Sequence, residues 1–287
     1  MSLSGVRGFV SVVLAGAICA PGLAAAQDDD WEFGEDAARQ MSVASVRYDG
    51  GKAVVVQCEA GALKVVIVGL PASTAPERHL DASRTDGRRD RQGWFAPVGQ
   101  TAFTSTVSGR DARFLRGGGM FDLRSSEGEA GTPLRASFDL PTENANLDRV
   151  LSACGYPVTD ARDALERASP DLKTAWQAEH EHDRPRVAPR SRSVSGAGSR
   201  GGPPPPPPAP RPADTSCLVR AAEYADCRVE HAPVGPQAAG PVAFLQRLNG
   251  VKLEATSASA NEGRVVYLGS NGGVVPLIVV ERTERIN

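Results

Sequence analysis

Ala53-Val54-Val55-Val56-Gln57-Cys58-Glu59-Ala60 runs through Gly61 into Ala62-Leu63-Lys64-Val65-Val66-Ile67-Val68-Gly69-Leu70. Two β-branched runs around a short glycine-containing turn are the sequence form of an antiparallel hairpin. Working outward, further strands are expected at residues 41–48, 102–107, 112–115, 120–124 and 134–140. The fold class expected for this part is mostly β and sandwich-like. Gly117-Gly118-Gly119 stands between two of those strands and reads as a turn or bulge. A phosphate-cradling loop would have to open a helix carrying Lys and Ser or Thr, whereas Met120-Phe121-Asp122 continues as strand.

Pro141 ends the strand series, and residues 146–154 have helical apolar spacing at Leu147, Val150 and Leu151 before Gly155 and Pro157 stop the helix. Thr159-Asp160 can cap a further helix through Ala168, and Pro170 can open another running to about His182. With Leu165, Leu172 and Trp176 as a sparse apolar face, these C-terminal helices are expected as an appendage of the β-rich unit.

The whole chain reads as two units joined by a Pro-rich linker. Residues 1–26 have the grammar of a signal peptide: Arg7, an apolar core over residues 9–20, a break at Pro21-Gly22, and small residues Ala24 and Ala26 that set cleavage before Gln27. The alternative address is the inner membrane, anchored by an uncleaved leader. Residues 27–182 form the expected β-rich domain, and residues 183–213 form a linker. That linker carries Arg184, Arg186, Arg190, Arg192, Arg200, Arg211 and the run Pro203 to Pro208, a composition too poor in apolar residues to fold. Residues 214–287 form a small α+β domain. Of five cysteines, Cys19 leaves with the leader, so an even set remains in an exported chain. Because the proline run separates the second from the third, pairing within each unit is the simplest of the three connectivities, giving Cys58 with Cys154 and Cys217 with Cys227.

In the second unit, residues 217–220 and 225–230 form an expected hairpin cross-linked by its disulfide. Residues 241–248 form a short helix ended by Asn249-Gly250, and residues 263–268 and 274–280 form two closing strands. Pro276 cannot donate a ladder hydrogen bond, which puts the last strand at a sheet edge. The order Cys217-x-Val219, Asp226-Cys227-x-Val229-Glu230, short helix, two strands resembles the cysteine-paired variety of the C-terminal domain of TonB-family energy transducers, and a proline-rich spacer precedes that family's domain too. The resemblance covers the last quarter of the chain. It departs from the family at Pro241, in residues 251–256 where an aromatic-then-proline segment is missing, and at the leader. What it implies is β-strand addition by an envelope protein, in the family an outer-membrane protein, along the edge Val274, Val275, Leu277, Ile278, Val279 and Val280. The alternative is that this edge is covered by the first unit or by a symmetric copy of the chain, giving a homodimer. The first unit is similar in general plan to small disulfide-linked periplasmic β domains such as those of invasion-associated locus B proteins.

Chemistry is sparse. A net charge of −2 gives the whole chain no electrostatic footprint for nucleic acid. His180 and His182 are two residues apart, on different sides of a helix, where helical metal pairs use i and i+4. His79 and His231 stand apart from them. No Gly-x-Ser-x-Gly elbow occurs, and Asp160 and Asp163 fall where a helix start favours acids. Arg84, Arg88, Arg89 and Arg91 would suit an anionic polymer, with Asp86 and Asp90 offsetting them in a solvated loop. The expectation is a non-enzymatic periplasmic protein with no cofactor and no metal, acting through protein–protein contacts. Its alternative is a structural or accessory envelope protein whose first β domain binds the partner.

Overall fold

A computed structural model describes residues 29–125, 132–169, 172–179, 215–230 and 247–268. The leader, the proline run and the edge from Val274 to Val280 lie outside the described residues. The chain is mostly β, with one large antiparallel sheet and a small second one.

The large sheet contains β1 (Glu32–Asp36), β2 (Met41–Tyr48), β3 (Lys52–Glu59), β4 (Ala62–Val68), β5 (Glu77–Arg84), β6 (Arg89–Phe95), β7 (Phe103–Ser105), β8 (Gly119–Ser125) and β9 (Arg135–Leu140). Their order is β1-β2-β3-β4-β7-β6-β5-β8-β9, and every pairing is antiparallel. The hairpin β3–β4 turns through Ala60 and Gly61, both at positive φ as a tight hairpin of the primed type requires. Val54, Val56 and Cys58 face inward on β3 and Leu63, Val65 and Ile67 on β4, the period of two read from sequence. In place of two stacked sheets there is one, curled until its ends meet. The Tyr48 hydroxyl at the end of β2 donates to the Asp139 carbonyl on β9 at 2.9 Å, and its ring meets Phe138 edge-on at 5.3 Å. Strand twist accumulates with strand number, so a long antiparallel sheet closes around its own core, here a single cluster from Trp31 to Tyr156.

Two helices close this core. Helix α2 (Ala145–Ala153) buries Leu147, Val150 and Leu151, and Cys154 at its C-terminus bonds to Cys58 on β3, pinning helix to sheet. Helix α1 (Ser108–Phe114) replaces the strand expected at residues 112–115. The alternation Ala112, Phe114 read as period two, but all seven residues of α1 are buried, so the faces of the element cannot be told apart by hydropathy. Gly109 is required there because a Cβ would stand 2.4 Å from the Tyr156 ring.

The second sheet contains β10 (Thr215–Arg220), β11 (Glu223–Val229) and β12 (Val265–Leu268) in the order β11-β10-β12. Asp226 and Cys227 together oppose Cys217, a bulge with Asp226 at φ 48°, and the extra residue brings the two cysteines into a disulfide. Between β11 and β12 comes α4 (Ala255–Ala260), N-capped by the Glu254 carboxylate. The helices expected after residue 159 are shorter than their sequence signals: a 3-10 turn over Ala161–Ala164, capped by Asp160, and α3 (Ala175–Glu179). The chain between them runs beside β12, where Val265 donates to the Glu166 carbonyl and accepts from Ala168. Leu172 packs into the core of the second sheet with Val219, Tyr224 and Leu253.

Candidate functional site

The most heavily charged part of the interior lies around α1, where the large sheet, the 160–169 stretch and the second sheet converge. Arg110, Asp111 and Arg113 are 4%, 1% and 4% exposed. Burial of charge on this scale costs several kcal/mol per ion unless each is paired, and here each is. Arg110 donates to Asp90 of β6 at 2.9 Å and to the Leu165 carbonyl at 2.8 Å. Arg113 donates to both oxygens of Asp163, at 2.6 and 2.9 Å, and to Asp160 at 3.4 Å. Arg167 reaches in from the 160–169 stretch, bonding Asp90 at 2.8 Å and also Asp111, which accepts from the Ser105 hydroxyl. The second sheet contributes Tyr267, whose ring lies 5.8 Å from the Arg110 guanidinium and 5.6 Å from that of Arg167, and Glu230, the residue after β11, lies 3.8 Å from Arg113.

The electrostatics follow from burial set against pairing. Burial pushes the Asp90 carboxyl up, but Arg167 and Arg110 outweigh it and hold it below the ordinary range. Asp111 is enclosed completely, and burial raises its pKa despite Arg167. Burial works against the Arg167 cation while Asp111 and Asp90 favour it, and the acids win, leaving it more firmly protonated than usual. Burial pushes the Tyr267 phenol up to about 12.

Beside this junction opens a cleft of about 500 Å³. One wall is the outer face of the large sheet, with His79, Asp81 and Ser83 on β5, Arg89 and Arg91 on β6, and Arg124 on β8. The other is residues 163–169 with Arg264 to Tyr267, where Arg264 pairs with Glu166 at 2.9 Å. Chemically, the arrangement presents the exposed cations of Arg89, Arg91 and Arg124 to an incoming ligand beside a junction whose charges are paired.

The expected site residues fall as follows. Cys58 with Cys154 and Cys217 with Cys227 form both disulfides. Asp160 and Asp163 are taken up by arginines rather than standing as a carboxylate pair: Arg113 holds both, and Arg228 also bonds Asp160. The run Arg84, Arg88, Arg89, Arg91 is not a loop but the β5–β6 hairpin, and it splits in two. Arg84 is buried and donates to the carbonyls of Phe114, Leu115 and Gly118, with burial lowering its pKa to about 10. Arg88 holds Asp86 and stacks on Phe114. Sequence reasoning missed Arg110, Asp111, Arg113, Arg167 and Tyr267. The one available signal was the density of arginine and aspartate beside Ala112, Phe114 and Leu115. Among the described residues, no group of three or more His, Cys, Asp or Glu stands close enough to hold a metal ion, and no helix is long and apolar enough to cross a membrane. Comparison of the chain with protein-family models, with curated proteins and with solved structures returned no match.

Proposed function

We propose that this chain is an exported, non-enzymatic interaction protein of the cell envelope, in which the two sheets and the cleft between them form one recognition body for another envelope protein. The observation that carries this reading is the link from Asp90 and Asp111 through Arg167 and Tyr267. It ties the second sheet to the first with charges that are stable only while the two stay together. A tail that engaged its partner as a free arm would have to expose Val107, Leu165 and Tyr267, which pack as one apolar cluster with Leu218 and Val265. Both disulfides suit the oxidising compartment that export and a periplasmic address imply. The shifted pKa values at the junction have the character of structural ion pairs, each carboxylate being held by arginine.

A second reading, strand addition along the edge from Val274 to Val280, draws on the second sheet's edge. Among the described residues β12 is an outer strand of that sheet, and Val265 already pairs there with Glu166 and Ala168. A photo-crosslinking residue placed at Ala164, exposed on the cleft wall, or at Val279 separates the two in intact cells. The cleft reading predicts a partner adduct from position 164. Adducts from position 279 alone would overturn it in favour of strand addition, and adducts from neither would remove both.

A further inference from the structure

In sequence the arginines of residues 84–91 are offset by Asp86 and Asp90. In the structure that offset disappears, because Asp86 is held by Arg88, while Asp90 points to the junction and is held by Arg110 and Arg167. Arg89 and Arg91 are left on the outer face of β6, exposed and without an ion-pair partner among the described residues. The register extends the array. Arg91 lies opposite Asp81 on β5 and Asp81 opposite Arg124 on β8, so Arg124 shares the face and is likewise exposed without an ion pair among the described residues. From strand geometry, Arg89 and Arg91 are ~7 Å apart along the strand and Arg124 lies ~10 Å across from Arg91.

We infer that this face of the cleft receives an extended acidic peptide segment of the partner, with Arg89, Arg91 and Arg124 as its carboxylate-binding side chains. The inference rests on the cleft being the recognition surface. Its stereochemical basis is the repeat. An extended peptide sets alternate side chains ~7 Å apart, the repeat that separates Arg89 from Arg91, so a Glu-x-Glu segment lying along β6 meets both guanidiniums in register. Arginine suits this role because its planar fork accepts a carboxylate in two parallel hydrogen bonds. The opposite wall adds little attraction, since Arg264 is neutralised by Glu166.

The test is a fluorescence-anisotropy titration of the full exported chain with a labelled Ala-Glu-Ala-Glu-Ala-Glu peptide. Saturable binding is expected, weakened about tenfold or more by R89E/R91E together and by raising salt until the Debye length falls to about 5 Å. R89Q/R91Q, which only neutralises the site, is expected to weaken binding less than R89E/R91E. Absence of binding by the unaltered chain, or equal binding by a folded R89E/R91E variant, would overturn the inference. So would displacement of the peptide by inorganic phosphate or phosphatidylglycerol vesicles at matched anion concentration, the first indicating a general anion site and the second a lipid surface. The crosslink from position 164 keeps the two proposals apart: an adduct that persists in R89E/R91E leaves the recognition reading standing and removes this one.

Discussion

Replacing Arg167 with methionine deletes a cation that two buried carboxylates share. Asp90 keeps Arg110, whereas Asp111 keeps only the Ser105 hydroxyl. Removing one partner of a buried ion pair typically costs about 3–5 kcal/mol, and the structure shows how the cost arises. The cheapest response is for Asp111 to take up a proton, which at pH 7 costs about 4 kcal/mol for a carboxyl with an unfolded pKa near 3.9. The sign of the pH dependence follows. A carboxyl whose folded pKa is raised contributes fully below its unfolded pKa and loses that contribution as pH rises through the folded pKa. The Asp111 pKa is raised already in the unaltered chain and further without Arg167, so the destabilisation by R167M is expected to fall as pH is lowered from 7, by up to about 1.4 kcal/mol per pH unit across the range between those two values. Urea denaturation of R167M at pH 5, 6 and 7, beside the unaltered chain, reads this directly. Adding D111N should recover a large part of the loss at pH 7, since asparagine still accepts from Ser105 without a charge to desolvate. A pH-independent loss that D111N does not recover would refute the reasoning and leave Arg167 as packing alone.

Three other perturbations follow from named contacts. The Cys58–Cys154 bridge spans 96 residues of sequence and Cys217–Cys227 spans 10, so replacing each pair with alanine should cost about 4–5 and somewhat under about 3 kcal/mol respectively on the chain-entropy model, measured by denaturation. Tyr267, with its phenol pushed up to about 12, contributes stability below its unfolded pKa of about 10 that is lost as pH rises through the folded value. The junction should weaken by about 2–3 kcal/mol between pH 10 and 12, and Y267F should remove that step from an alkaline denaturation curve. The β10–β11 turn places Ala221 and Ala222 at φ 51° and 59°, a conformation that costs a residue with a Cβ about 1–2 kcal/mol. A222G should accordingly raise stability by about 1 kcal/mol, and an unchanged or lower midpoint would count against that backbone.

The legible parts of the fold are those whose cause is local. Alternation in β3 and β4, the apolar spacing of α2, and the β10–β11 hairpin are each written in a short local stretch. Strands β5 and β6 were not legible because their inward positions include Arg78, Arg84 and Gln92, which break the apolar alternation while lying in the core. β1 reads only as an acidic start, its charges being those of an edge strand that discourages further pairing. The junction was least legible of all. Arg113 meets Asp163 across 50 residues and Arg110 meets Tyr267 across 157. An Arg-Asp-x-Arg run is a solvated face unless such distant partners arrive, and no local pattern announces their arrival. The disulfides were read correctly because pairing needed only the count and the position of the proline run.

Docking of the second sheet on the first is the claim from which the cleft and its proposed role descend, and native-state amide hydrogen exchange tests it most directly. The amides of Val266 and Leu268 in β12 and those of Ala112 and Phe114 in α1 are the pair to compare, together with the amides of β3. If the sheets form one body, β12 and α1 exchange with a common opening free energy close to that of β3, and R167M lowers all three together. If β12 exchanges at a much lower free energy than α1 in the unaltered chain, the second sheet opens by itself and the account is contradicted.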